Sequence, residues 1–186
     1  AAIRTNAYLG VRLLDAPEPD LQEVRSTLTD IREVNERAGE VVGGLRAMLQ
    51  RDSTAARLTN VDVNNVIRVV ERIVHGDANL HKVTVHLDLS SDVRPVKGDS
   101  VQLQQVILNL MLNAFSAMSG TGLDGARRLV VRTNSIDESN VLVEVQDSGT
   151  GIAAEKLESI FDPFVTSKPD GLGMGLSICR SIIERH

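Results

Sequence analysis

At 186 residues, with 42% apolar and 24% charged positions, the chain has the composition of an ordinary globular protein and is long enough to bury roughly 70% of its unfolded surface. No apolar run approaches the ~18 residues of a membrane span, the opening AAIRTNAYLG carries no signal-peptide pattern, and the lone Cys179 excludes an internal disulfide, so no membrane contact and a reducing, cytoplasmic setting are expected. A net charge of −5, with three Phe, one Tyr and no Trp, argues against nucleic acid, whose phosphates need cations and whose bases need aromatic platforms.

Residues 1–51 read as two helices around the turn Asp15-Ala-Pro-Glu-Pro-Asp20. Two prolines stop the first helix, and Asp20 with Glu23 forms an N-cap close to a capping box for the second. From there Leu21, Val24, Leu28, Ile31, Asn35, Ala38, Val42, Leu45 and Leu49 recur at spacings of three and four, a heptad seam. Residues 1–14, with Ile3, Ala7, Gly10 and Leu14 on one side, supply about 21 Å of helix against about 46 Å for the second. The seam therefore needs further partners, and the first helix is expected to begin upstream of Ala1.

Residues 52–60 are polar and aperiodic, as in a linker. Val66, Val69, Val70, Ile73 and Val74 predict a helix, and Val83, Val85, Leu87 and Leu89 alternate as a strand. Asp99 with Gln102 caps a long helix to about Met118. Leu129–Thr133 and Val141–Asp147 predict two strands, antiparallel across the polar turn 135–140, and a last helix runs from Gly175 to the end. Helices and strands interleave without strict alternation, which predicts an α+β layered sandwich.

Three features carry candidate chemistry. Asn109 and Asn113, four apart in the long apolar helix, share one face; they suit either core amides bonded to backbone or the wall of a ligand cavity, where an amide oxygen coordinates Mg²⁺ and its NH₂ bonds a phosphate. Asp147, in phase with Val141, Val143 and Val145, is expected to project toward the apolar side of its sheet, where a donor must meet it; either a ligand amino group or the turn formed by Gly149 and Gly151 supplies one. Gly171, Gly173 and Gly175 open the last helix after Lys168, either as a bare mobile loop or as an anion-binding run of backbone N–H groups. Phe161 and Phe164 are expected to anchor the base of that loop by packing. Gly149-x-Gly151-x-x-Ala154 imitates a dinucleotide fingerprint, but no strand leads to the acid at Asp170, and Asp147 would oppose a pyrophosphate.

In chain order, Asn109-Leu-Met-Leu-Asn113-Ala, Asp147-Ser-Gly-Thr-Gly151, Phe161-Asp-Pro-Phe164 and Gly171-Leu-Gly-Met-Gly175-Leu176 closely resemble the N, G1, F and G2 boxes of sensor histidine kinases, over residues 58–186. Residues 1–51 resemble that family's dimerisation and histidine-phosphotransfer hairpin, in particular the oxygen-sensor and nitrogen-regulation branch, where H-E-x-x-Q-P-L runs into A-A-I. Ala1-Ala2-Ile3 matches the tail of that motif, which implies a phosphoacceptor histidine upstream of Ala1. His75, His81, His86 and His186 lack the following Glu and Pro and read as surface or packing residues.

The resemblance implies an ATP-binding α/β sandwich preceded by a helical hairpin that forms a four-helix bundle on homodimerisation. It implies that Asp147 accepts from the adenine amine, Gly149 and Gly151 admit the base, Asn113 ligates Mg²⁺ and Asn109 supports the phosphates. Gly171, Gly173 and Gly175 would hinge a lid, and Phe164, Thr166, Ser167, Lys168 and Leu176 would complete the ATP site. Many relatives carry a basic residue three places after the Mg²⁺ asparagine; Ser116 stands here, which leaves Lys168 or a residue outside this sequence to balance phosphate charge. Hydrolysing members of the superfamily have Glu where Asn109 stands, and relatives continue past the last helix into further strands, so one sheet edge is expected to be missing after His186. The implied activity is transfer of the ATP γ-phosphoryl group to a histidine, then to a response-regulator aspartate, with the chain as given binding nucleotide without phosphorylating itself. The alternatives are a non-catalytic dimerisation and docking module, or an ATPase of the same superfamily.

Overall fold

A computed structural model describes residues 2–32, 34, 58–119, 125–166 and 173–186. Helix α1 (Ala2–Leu14) ends at the proline turn, and a second helix, α2, is helical over 21–32. Asp20 caps α2 as expected, its Oδ1 accepting from the N–H groups of Gln22 and Glu23 at 2.9 and 3.1 Å. The α1 face expected to pack does so only at Gly10. A Cβ there would stand 3.7 Å from Thr27 Cγ2, and Thr27 and Val24 are buried, whereas Ile3, Leu14, Leu21 and Leu28 remain exposed. Asn35, Ala38, Val42, Leu45 and Leu49 of the seam lie outside the described residues.

The remainder is layered. Strand β1 (Thr59–Val61) pairs antiparallel with β3 (Val96–Gly98), and a mixed sheet has the order β2 (Val83–Leu89), β4 (Arg127–Ser135), β5 (Val141–Asp147). Strands β2 and β4 are parallel, and β4 and β5 antiparallel with Leu129 opposite Asp147. The presumed linker at 52–60 therefore ends in a strand; three residues are too few to show the period of two by which a strand is read.

One face of the sheet is covered by α3 (Val63–Leu80) and α4 (Ser100–Met118). Val66, Ile67, Val70 and Val74 of α3, with Ile107, Met111, Phe115 and Met118 of α4, meet Leu129 and Val131 of the central strand. The opposite face is polar, with Arg132 donating to Gln146 Oε1 at 2.9 Å and lying 3.6 Å from Asp88. Helix α4 is apolar nearly all round because it buries a second side too. Val106 and Leu110 pack with Met174, Ile178, Cys179 and Ile182 around α5 (Gly175–Ile183).

A buried polar knot ties the layers together. Thr133 Oγ1 donates to Asn64 Oδ1 at 2.8 Å, Asn64 Nδ2 donates to the Ser90 carbonyl at 2.8 Å, and the Ser90 N–H donates to Thr133 Oγ1 at 3.1 Å. Each member satisfies another, and removing one strands its partners in the core. Replacing Asn64 with Ala is expected to lower the unfolding free energy by about 2 kcal/mol. Urea denaturation checks this, and an unchanged midpoint would show that the knot adds nothing.

Candidate functional site

The α4 helix starts where Asp99 Oδ1 accepts from the N–H groups of Val101 and Gln102. With both flanks committed to apolar neighbours, the polar residues that remain share one stripe. Asn109 and Asn113 are half-buried there and meet the N-terminus of α5. Asn109 Nδ2 donates to the Gly175 carbonyl at 3.4 Å and lies 3.8 Å from Cys179 Sγ, and a Cβ on Gly175 would stand 3.9 Å from Asn113 Nδ2.

One turn further along, Ala117 continues the stripe. Its carbonyl oxygen lies 2.8 Å from where a Cβ on Gly149 would stand, and Asp147 Oδ1 lies 2.7 Å from the same point. Only glycine fits this pinch between the end of α4 and the end of β5. The stripe 109–113–117 thus links two glycine segments distant in sequence, one at each end of a single helix face.

Asp147 departs from expectation. Its carboxylate is exposed rather than turned into the apolar layer, and Oδ1 accepts from the Gly149 N–H at 2.7 Å, the turn-capping arrangement. Strand phase was read correctly, but the core packing on β5 stops at Val145, so the last in-phase residue projects past its edge. The aromatic anchors also fail to form: Phe161 and Phe164 are 39% and 66% exposed. Gly151 follows the pinch and leads into the three-residue 3-10 turn Ala154–Lys156, so no α-helix follows as a dinucleotide fingerprint would need. Thr166 is exposed, Gly173 precedes α5, and Leu176 is half-buried on its first turn; Ser167, Lys168 and Gly171 lie outside the described residues.

The histidines sit elsewhere, as expected of packing and surface residues. His81 stacks on Phe115 with 6.1 Å between ring centres, His75 lies 3.7 Å from Glu71, and His86 is exposed on the polar sheet face. His186 Nε2 accepts from the Asp99 N–H at 2.9 Å, at the opposite end of α4 from Ala117. Two site residues went unread in the sequence: Ala117, whose part is played by its backbone, and Cys179, which closes the contact behind Asn109. No side-chain pattern marks a carbonyl oxygen.

Residues 98–186 match the family model of histidine kinase-, DNA gyrase B- and HSP90-like ATPases. The solved catalytic domain of the histidine kinase ThkA is 30% identical, with a TM-score of 0.59 over 70% of this chain and 81% of its own. The chain belongs to the histidine kinase family. It is also 33% identical, over its whole length, to 28% of the C4-dicarboxylate transport sensor protein DctS of Rhodobacter capsulatus. A structure of ThkA in complex with the response regulator protein TrrA is 22% identical, with a TM-score of 0.62 over 98% of this chain and 52% of that one, which is a likeness of fold. The chain spans about a fifth to a third of the curated sensor kinases it matches.

Burial behind Asn109 pushes the Cys179 thiol up to about 11 from an ordinary value of 9.0. Between pH 9 and 11 the unfolded chain loses this proton while the folded chain keeps it, so stability present below pH 9 declines as pH rises through that window. Two outcomes are expected: Cys179 in the folded chain resists iodoacetamide at pH 8, and Cys179→Ala flattens the decline of stability between pH 9 and 11. Rapid alkylation under native conditions, or identical pH profiles for the two chains, would contradict this.

Proposed function

We propose that the chain is the catalytic core of a sensor histidine kinase that holds Mg-ATP along the α4 stripe and delivers its γ-phosphoryl group to a histidine. The observation that carries the reading is the continuity of one helix face. Asn109 and Asn113 meet the glycine-led start of α5 at one end, and the Asp147–Gly149 pinch closes the other. A nucleotide laid along it sets its base at the pinch, with an oxygen of Asp147 accepting from the adenine amine. The triphosphate then lies toward Asn113, Asn109 and the backbone N–H groups before α5, whose helix end favours anions. Gly149 and Gly151 admit the base, and Phe164, Thr166, Ser167, Lys168, Gly171, Gly173, Gly175 and Leu176 border the phosphates.

The donor set suits Mg²⁺ bound chiefly through phosphate. Among the described residues no group of three or more His, Cys, Asp or Glu could hold a metal ion by itself, and Mg²⁺ on a triphosphate takes one or two protein oxygens with water completing the shell. Asn113 supplies such an oxygen, and the ion, when bound, neutralises phosphate charge. Asn109 cannot act as a base toward water, so the nucleotide is kept intact for another acceptor. An imidazole nitrogen forms the P–N bond as the bond from the γ-phosphorus to ADP breaks, and one imidazole proton passes to solvent; positioning and charge neutralisation supply the catalysis.

The imidazole belongs to the family's phosphotransfer hairpin, and α1 and α2 pair with a second copy in a four-helix bundle. Leu21 and Leu28 on α2 and Tyr8, Val11 and Leu14 on α1 are exposed apolar residues that such a partner would cover. The phosphoryl group then passes to the aspartate of a response regulator, a partner class seen with ThkA. Asp147→Asn should weaken ATP binding at least tenfold, since an amide offers the adenine amine a poorer acceptor and a competing donor, and Asn113→Ala should reduce the dependence of binding on Mg²⁺. Isothermal titration calorimetry checks both, and unchanged titrations for the two variants would defeat the assignment.

A further inference from the structure

The residues after α5 reach back to the start of α4, and one imidazole makes the join. His186 Nδ1 lies 2.8 Å from the Ile182 carbonyl, which can only accept, and His186 Nε2 lies 2.9 Å from the Asp99 nitrogen, whose N–H can only donate. Together the two partners fix a neutral ring with its proton on Nδ1 and a bare lone pair on Nε2. The backbone leaves room for that ring. A Cβ on Gly98, the last residue of β3, would stand 2.7 Å from His186 Cδ2 and 3.1 Å from Leu103 Cδ1, so a side chain there would push the ring off the N–H beyond it.

The charged groups nearby are committed elsewhere. Asp99 Oδ1 accepts from Val101 and Gln102, Arg185 Nε donates to the Ser181 carbonyl at 2.9 Å, and Glu184 is paired with Arg180 at 2.8 Å. Lys97 is exposed on β3, the first turn of α4 carries no acid, and the facing strand β1 has no charged residue.

We propose that His186 is a positioning residue for the nucleotide site, a proton-operated latch that holds α5 in place on α4. Helix α5 has nine residues, so it is about 13 Å long. The latch closes one end; at the other the Gly175 carbonyl accepts from Asn109 Nδ2 at 3.4 Å. That bond is long, and a small tilt of α5 about Ile178 and Cys179, its buried contacts with α4, makes or breaks it. Imidazole takes up a proton within about pH 5–8, and the exposed His186 receives it on Nε2. Two donors then face each other, the join to Asp99 is lost, and ATP is held less well in proportion to the closed form removed. The coupling to ATP rests on the nucleotide reading argued above; the latch itself does not.

Long-range proton–nitrogen correlation spectra of the unaltered chain, recorded without nucleotide, read the latch directly. At about pH 8, above the usual imidazole range, His186 is expected to carry its proton on Nδ1 and the Asp99 amide to be protected from hydrogen exchange. On acidification that protection is expected to be lost in step with protonation of Nε2. Calorimetric titration with Mg-ATP reads the coupling. His186→Leu removes both bonds and is expected to weaken binding about fivefold at about pH 8. His186→Gln, whose amide oxygen accepts without titrating, is expected to restore most of that loss. The affinity of the unaltered chain relative to His186→Gln should then fall about threefold as Nε2 is protonated. This ratio cancels titration of the phosphates, the other histidines and the terminal carboxylate of the chain as given. A neutral ring protonated on Nε2, or an Asp99 amide that exchanges freely at the higher pH, would overturn the latch. Equal affinities for the three chains, or a ratio that ignores pH, would overturn its coupling to the site. An intact latch in a chain whose ATP affinity ignores Asp147→Asn would instead overturn the nucleotide reading.

Discussion

The structure depends on α4 being buried from two sides. Ile107, Met111, Phe115 and Met118 pack into the layer over the sheet, while Val106 and Leu110 pack against α5, so the helix has no freedom to rotate. Each fully buried side chain of this size contributes about 1.5–3 kcal/mol relative to exposure, and turning the helix by one residue would expose several together. The stripe left over, with Asn109, Asn113 and Ala117, is therefore fixed by the apolar packing around it. The asparagines stand half-buried at a seam between elements, where an amide can be held in one place and still meet a ligand.

That constraint explains why the glycine segments fall where they do. Gly149 is squeezed between the last turn of α4 and the Asp147 carboxylate, and Gly173 is squeezed against the backbone of Phe164 and Val165. In both places backbone approaches backbone at the rim of the stripe, and a single methyl group would push the rim outward. Helix α5 is anchored on α4 through Met174, Ile178, Cys179 and Ile182.

Much of this was legible in the sequence because it rests on periodicity. The long helix with its Asp99 cap, the strand at 83–89, and the hairpin of β4 and β5 all bury one face of a regular element, and a face leaves a period. Strands β1 and β3 have three residues each and left none. The Asn64–Ser90–Thr133 knot joins residues up to 69 apart in sequence, and nothing local to Asn64 distinguishes a buried amide from an exposed one. Asp147 was misplaced because alternation tells which side a residue faces and not where the layer ends. Phe161 and Phe164 were misplaced because aromatic character predicts burial only on average, and at Phe164 the backbone serves Gly173 while the ring is left in solvent. In the packing of α1 on α2 the spacing picked out Gly10 and Val24, but it passed over Thr27, a polar residue buried beside them.

The central claim is that one helix face reads both ends of one nucleotide. Its most direct test is a nuclear magnetic resonance titration of the chain with Mg-ATP, following the side-chain amides of Asn109 and Asn113 together with the backbone amides of Gly149 and Gly151. The account predicts that all four signals shift along a single binding curve with one dissociation constant, and that the bound adenine protons show cross-relaxation to the Ala117 methyl group. Shifts confined to either the asparagines or the glycines, or two curves with different midpoints, would contradict it.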